Sequence, residues 1–132
     1  MRIYLCGPIN ACSDAEAKDW RKECTDYLVA AGHEVLDPMS RDFRGKEAES
    51  TQEIVEGDKR DIDNCGVILV YYWKPSVGTS MEVLYAWETN TTVVLVDASN
   101  APLSPWLLYH SAYICKSLPE ALTYITTNTN AA

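Results

Sequence analysis

Positive charge is scarce in this sequence. Eleven lysines and arginines stand against 19 aspartates and glutamates, which gives a formal net charge of −8. A protein that binds the phosphate backbone of a nucleic acid is usually basic, so this balance argues against a nucleic acid polymer as partner. Any phosphate that the chain binds is expected to be held locally, by a few hydrogen-bond donors.

Long hydrophobic runs are missing as well. The longest, at 67–73 and 92–96, fall far short of the ~20 residues that a membrane-spanning helix needs. The first five residues have the composition of a strand, and they lack the apolar region and cleavage site of a signal peptide. We therefore expect no membrane partner and a cytoplasmic location.

Cysteine and histidine are too scattered to indicate a metal site or a disulfide framework. The five cysteines form no CxxC pair, and the two histidines, His33 and His110, are isolated in the sequence. These patterns predict reduced thiols, no metal and no cofactor. The GxSxG motif of many hydrolases and the Walker A ending of phosphate-binding loops are also absent.

The composition that remains is that of one globular domain. The length of 132 residues fits a single core. Hydrophobic residues make up 47% and charged residues 23%, which argues against disorder. Because the last residues are polar, we expect the domain to span 1–126 and a flexible tail to span 127–132.

Apolar runs alternate with segments of helical periodicity. The pattern predicts strands at 2–6, 33–36, 67–72, 92–96 and 112–115. It predicts helices at 15–31, 51–64, 79–89 and 118–125, a helical turn at 106–111, and a long loop at 39–50. Ser50 and Glu53 have the spacing of a capping box. The alternation is typical of a doubly wound (Rossmann/flavodoxin-like) α/β fold, with a parallel five-stranded sheet and helices on both faces.

Candidate site residues lie where such folds bind ligands, at the carboxyl ends of the strands. The segment 74–82 places small hydroxyl residues and a glycine where a helix begins, which suits either an anion or an ordinary strand–helix connection. Glu82 follows one turn into that helix, and Asp58 lies on the preceding helix. Two carboxylates can break a glycosidic bond, one as nucleophile and one as proton handler, although each is also explained as an exposed acid.

Four segments, in this order, resemble the nucleoside 2-deoxyribosyltransferase superfamily. They are IYLCGPI at 3–9, EGD at 56–58, the apolar strand at 67–72 and PSVGTSME at 75–82. The resemblance covers about residues 2–96, with a weaker continuation at 103–106. It implies cleavage of the bond between a base and a deoxyribose or ribose.

The resemblance also implies roles for individual residues. Glu82 matches the nucleophile that attacks C1′ and forms a covalent glycosyl-enzyme. Tyr4 matches the tyrosine that positions this glutamate, and Asp58 matches the aspartate associated with the sugar and with proton transfer at the base. The implied substrate contacts are Gly7, Pro8, Ile9, Asn10, Ser76, Gly78, Thr79 and Ser104.

Ser76 favours the branch of the superfamily that hydrolyses nucleoside 5′-monophosphates. Transferases of free nucleosides tend to carry an aspartate six residues before the nucleophile, which would repel a phosphate that a serine can bind. Ser104 resembles a second phosphate-binding serine that a neighbouring subunit supplies. Other phosphate contacts of that branch are replaced here by Pro8 and Asn10. The basic residues of the 39–50 loop, Arg41 and Arg44, are candidate substitutes, but we expect them to be solvated charges.

Three functions stay open at this point. The leading hypothesis is hydrolysis of (2′-deoxy)nucleoside 5′-monophosphates to free base and sugar 5-phosphate. The alternatives are a deoxyribosyltransferase that exchanges bases between deoxynucleosides, and a nucleotide-binding sensor without chemistry. The resemblance implies a small-molecule nucleotide or nucleoside as ligand and a homo-oligomer, at least a dimer, with a shared active site.

Overall fold

Strands and helices alternate in a computed structural model that describes residues 1–129. The strands are β1 (Arg2–Cys6), β2 (Glu34–Leu36), β3 (Val67–Tyr72), β4 (Thr92–Asp97) and β5 (Tyr113–Cys115). The helices are α1 (Asp14–Ala30), α2 (Thr51–Asp63), α3 (Val77–Glu88), α4 (Pro105–Tyr109) and α5 (Leu118–Thr129). Within this part of the chain, no helix has the length and apolar character needed to cross a membrane.

All five strands run parallel, in the order β2-β1-β3-β4-β5. The chain leaves β1 for β2 at one edge and then crosses to β3 on the other side of β1, so the direction of winding reverses between β1 and β3. The crevice beside such a reversal, at the carboxyl ends of the strands, is where ligands bind. The predicted parallel sheet is confirmed, and its topology points to the loops after β1 and β3.

The two faces of the sheet carry different residues because successive side chains of a strand point to opposite faces. In β1, Ile3 and Leu5 pack in the cluster that contains α1 and α5, whereas Tyr4 and Cys6 pack in the cluster that contains α2, α3 and α4. All four side chains are fully buried. The predicted helices on both faces are confirmed, and the polar atoms of β1 lie on the α2–α3 face.

A buried arginine joins the carboxyl ends of β1 and β2. The Arg21 side chain is 1% exposed, and its Nη1 donates to the Leu5 carbonyl at 2.8 Å and to the Asp37 carboxylate at 3.0 Å. Its Nη2 donates to the Gly7 carbonyl at 3.0 Å. The buried positive charge is therefore paired with Asp37, and the loop after β1 starts from a fixed position.

The predicted capping box at Ser50 is wrong. Ser50 makes no side-chain hydrogen bond to the first turn of α2, because it follows the 3₁₀ turn Glu47–Glu49 and its backbone is not extended (φ −122°, ψ 21°). The capping box instead lies at the start of α1, where Ser13 and Glu16 bond reciprocally.

The last helix is longer than the pattern predicts. Helix α5 ends at Thr129 rather than at residue 125, so residues 127–129 of the predicted tail are helical. Residues 130–132, the rest of that tail, lie outside the described residues.

Candidate active site

A cavity of about 160 Å³ opens at the carboxyl ends of β1 and β3, as the topology indicates. Its wall is formed by the loop after β1, the loop between β2 and α2, one side of α2 and the first turns of α3. Eight of the predicted site residues line it, namely Gly7, Ile9, Asn10, Asp58, Ser76, Gly78, Thr79 and Glu82. Residues from three separate parts of the sequence therefore meet at one site.

Asp58 of α2 and Glu82 of α3 both line this cavity, and they lie close enough that each alters the pKa of the other. Burial raises the pKa of Glu82, and the charge of Asp58 raises it further. Burial also raises the pKa of Asp58, although the interaction with Glu82 and the hydrogen bond from Arg41 lower it. The two carboxylates therefore titrate as a pair that retains a proton at a higher pH than ordinary carboxylates do.

Tyr4 and Cys6 interact with Glu82 from the sheet, where both lie on the face of β1 that packs against α2 and α3. The pKa of Tyr4 is raised by burial and by the charge of Glu82, so the hydroxyl stays protonated. This hydroxyl has no partner of ordinary hydrogen-bond geometry among residues 1–129, but its interaction with Glu82 favours the ionised carboxylate. Cys6, which the sequence did not single out, acts on Glu82 in the same direction. The alternation of β1 could have revealed Cys6, because it lies two positions after Tyr4.

Ser76 caps helix α3, which begins at Val77 rather than near residue 79 as predicted. The Ser76 hydroxyl accepts hydrogen bonds from the Thr79 backbone N–H at 3.3 Å and from the Thr79 hydroxyl at 2.9 Å. Its own hydrogen is left to donate. A Cβ built on Gly78 would meet no atom within 4 Å, so this glycine leaves open space at the helix end. The site thus combines an open helix N-terminus with hydroxyl donors, which suits an anion.

Only some residues of the loop after β1 line the cavity. A Cβ at Gly7 would lie 2.7 Å from the Trp20 ring, so only glycine fits at the turn. Ile9 and Asn10 line the cavity, whereas Pro8 is buried away from it.

Ser104 does not line the cavity of its own chain. It is exposed and caps α4, where its hydroxyl accepts a hydrogen bond from the Trp106 backbone N–H at 3.2 Å. A contact from Ser104 to a ligand in this cavity would have to come from another copy of the chain.

The arginines of the β2–α2 loop line the cavity, and the expectation that they are solvated is wrong. Arg41 pairs with Asp58 and Asp61. Arg44 pairs with Asp14 and Asp42, and its side chain is 18% exposed. Loop length was the only sequence signal for these residues, because their partners are set by the folding of the loop. Across the described part of the chain, no group of three His, Cys, Asp or Glu side chains is placed to hold a metal ion.

Comparison with solved structures places this fold beside two enzymes. The 2-deoxyribosyltransferase of the psychrotolerant bacterium Bacillus psychrosaccharolyticus matches with a TM-score of 0.77 and 16% identity, over 94% of this chain and 92% of that chain. The CMP N-glycosidase BcmB of Clostridium botulinum matches with a TM-score of 0.63 and 19% identity, over 95% of this chain and 98% of that chain. At these identities, the similarity shows a shared fold.

Sequence comparison gives the family. No curated protein matches the chain. The model of the nucleoside 2-deoxyribosyltransferase family, however, matches residues 3–124, which include both carboxylates and the first turns of α3. The chain therefore belongs to the nucleoside 2-deoxyribosyltransferase family, and it is an enzyme of deoxyribosyl transfer or N-glycosidic cleavage.

Proposed function

We propose that this enzyme hydrolyses (2′-deoxy)nucleoside 5′-monophosphates through a covalent glycosyl-enzyme on Glu82, and releases free base and (deoxy)ribose 5-phosphate. The observation that carries the proposal is the Asp58–Glu82 pair, which lies in the same cavity as the open N-terminus of α3. The pair supplies a nucleophile and a general acid–base residue, and the N-terminus of α3 supplies a binding site for the phosphate.

The pair carries one proton, and in the reactive form this proton has moved from Glu82 to Asp58. In the first step, the ionised Glu82 carboxylate attacks C1′ of the sugar. The bond from C1′ to the base nitrogen breaks, and its electron pair leaves with the base. Asp58 donates its proton to the departing base, so neutral base and a glycosyl ester on Glu82 result. Tyr4, held neutral by burial, orients the Glu82 carboxylate during this attack.

In the second step, water resolves the ester. Asp58, now ionised, removes a proton from the water as its oxygen bonds to C1′, and the bond between C1′ and Glu82 breaks. The carboxylate of Glu82 and the proton on Asp58 are both restored. Two displacements at C1′ retain the configuration of the sugar.

Ser76 supports a phosphorylated substrate. It holds the place where an aspartate would repel a phosphate, and its hydroxyl retains a hydrogen to donate. The first turn of α3 adds unpaired backbone N–H groups and a favourable dipole. This local set of donors is compatible with a chain whose net charge is −8.

A second copy of the chain is proposed to complete the site. The cavity of about 160 Å³ is smaller than the roughly 300 Å³ at which ligand pockets usually begin. Val77 and Met81, next to the cavity on α3, are 79% and 66% exposed. Covering them with a neighbour that also brings Ser104 would enlarge the site and bury apolar surface. Sedimentation or size-exclusion analysis tests this: a monomer at working concentration would contradict it.

The activity itself is tested with a substrate panel. Nucleoside 5′-monophosphates and the corresponding nucleosides are incubated with the enzyme, with and without an acceptor base, and free base is followed by chromatography. We expect base release from a monophosphate such as dCMP, dGMP or dTMP without any acceptor. Base exchange that requires an acceptor and uses only unphosphorylated nucleosides would instead assign deoxyribosyl transfer. Tight nucleotide binding with no base release on any substrate would assign a sensor.

A further inference from the structure

Arg41 contacts the catalytic pair from the side of the β2–α2 loop. Its Nη2 atom lies 3.3 Å from Oδ1 of Asp58 and 2.6 Å from Oδ2 of Asp61, on the same face of α2. The Asp58 and Asp61 side chains are 13% and 19% exposed, and that of Arg41 is 36% exposed. Within residues 1–129, no other lysine or arginine forms an ion pair with Asp58 or Glu82.

Gly57 makes room for the Arg41 guanidinium. It is buried in α2, directly before Asp58, and a Cβ at this position would lie 3.3 Å from Nε and 3.6 Å from Cζ of Arg41. Glycine inside a helix is about 1 kcal/mol less favourable than alanine. The close approach of Arg41 gives this glycine a structural reason.

The other cations near the carboxylate pair are engaged elsewhere. Arg44 lines the same cavity, as does Glu47, but pairs with Asp14 and Asp42, and the Lys59 ammonium lies over the Tyr85 ring.

The remaining groups around the pair are neutral or negative. From β1, Tyr4 and Cys6 stay protonated because burial raises the pKa of both. From α2, Asp61 is negative, but Arg41 pairs with it more closely than with Asp58. Arg41 is therefore the group that can balance a negative charge on the pair.

We propose that Arg41 is a positioning residue that supplies the counter-charge for one negative charge on the Asp58–Glu82 pair, and so sets the pH range in which the site is active. Asp61 anchors the guanidinium, and Gly57 lets it lie against α2. Arg41 contacts Asp58 and acts on the pair as a whole. Without its charge, the pair would lose its first proton only at higher pH, and the singly ionised pair that the first step needs would be rarer near neutrality. The inference rests on the proposed function for its catalytic consequence, but the charge balance exists in the free protein.

The first test removes the charge. In Arg41→Gln, we expect the acidic limb of the kcat/KM profile to move to higher pH by about one unit, because an adjacent positive charge shifts a carboxylate pKa by about that much or more. Arg41→Lys keeps the charge and is expected to restore most of the wild-type profile. Arg60→Gln is the matched control, because Arg60 is exposed on the same helix and its change is expected to leave the profile in place.

A second variant displaces Arg41 without altering any charge. Gly57→Ala places a methyl group 3.3 Å from Nε of Arg41, so the guanidinium has to move by a few tenths of an ångström. We expect a shift in the same direction as in Arg41→Gln but smaller. The alanine improves helix propensity, so this protein is expected to fold at least as well as the wild type. A shifted profile in a protein of undiminished stability would not follow from a purely structural role of Arg41.

A measurement without substrate separates this inference from the proposed function. Carboxyl ¹³C NMR titration of the free enzyme follows Asp58 and Glu82 directly, and we expect both to titrate at higher pH in Arg41→Gln than in the wild type. If this shift occurs and no base is released from any substrate, the counter-charge stands and the proposed function fails. If the titrations of wild type and Arg41→Gln superimpose, the inference is overturned whether or not the enzyme is active.

Discussion

The two faces of the sheet are built from the same strands, but their side chains contact different kinds of groups. On the α1–α5 face, Ile3 and Leu5 of β1 meet apolar side chains such as Leu28 of α1. On the α2–α3 face, Tyr4 and Cys6 meet the carboxyl group of Glu82. Both faces remove apolar surface from water, but the α2–α3 face also buries the carboxyl group of Glu82, at a cost in stability. The comparison indicates that both faces stabilise the fold and that the candidate chemistry is confined to one of them.

Glu82→Gln is the most severe test of the chemical face. We expect kcat to fall on the order of 10³-fold or more, because an amide cannot form the glycosyl ester. Base release followed by chromatography measures this, and circular dichroism checks that the fold is retained. An active Glu82→Gln enzyme would refute the nucleophile assignment.

Leu28→Ala tests the apolar face. Leu28 is fully buried, so its truncation is expected to lower the free energy of unfolding by about 2–5 kcal/mol in urea titrations. Since the change is remote from the cavity, kcat is expected to stay near the wild-type value at a temperature where the variant is folded. Val29→Ala is the control, because Val29 is 56% exposed, and it is expected to cost at most about 0.5 kcal/mol. A large drop in kcat for folded Leu28→Ala would break the division between the faces.

Glu82→Gln is also expected to make the protein more stable, increasingly so as pH rises. The folded state raises the pKa of Glu82, so between its unfolded and folded values the unfolded chain binds fewer protons, and wild-type stability falls with rising pH. Each unit of raised pKa corresponds to about 1.4 kcal/mol. Urea titrations from acidic to alkaline pH measure the difference. Glu88→Gln, at an exposed position of α3, serves as control, and parallel curves for wild type and Glu82→Gln would contradict the prediction.

Ser76→Asp separates the capping role of Ser76 from its proposed phosphate contact. Aspartate caps helices about as well as serine, so stability is expected to change by less than about 0.5 kcal/mol. The added charge is expected to lower the preference for monophosphates over nucleosides by about tenfold or more. Ser76→Ala loses the cap, and about 1 kcal/mol of stability with it. If Ser76→Asp left the substrate preference unchanged, the proposal that the phosphate binds at this end of the cavity would be contradicted.

The fold was predictable because strand and helix signals agree along the chain. Strand β3 lies where the apolar run at 67–72 placed it. The start of α3 was displaced by two residues because Ser76, Thr79 and Ser80 are all plausible caps, and only the backbone conformation selects Ser76. The error at Ser50 has a similar origin, since a preceding 3₁₀ turn is invisible in the capping pattern.

The site was predictable only in part. Asp58, Glu82 and Tyr4 were chosen from residue type and resemblance, and the structure brings them together. Arg41 was predicted to be a solvated charge because its partners, Asp58 and Asp61, lie 17 and 20 positions away in the sequence. Ion pairs of this kind follow from the path of a loop, which local patterns do not encode.

The hydrogen bonds of Arg21 have a consequence for how this loop tolerates substitution. Two of the three go to backbone carbonyls, those of Leu5 and Gly7, which every amino acid possesses. These two bonds recognise the path of the chain and not the side chains that follow. Residues after Gly7, such as Ile9 and Asn10, can therefore be substituted without loss of the contacts that fix the start of the loop.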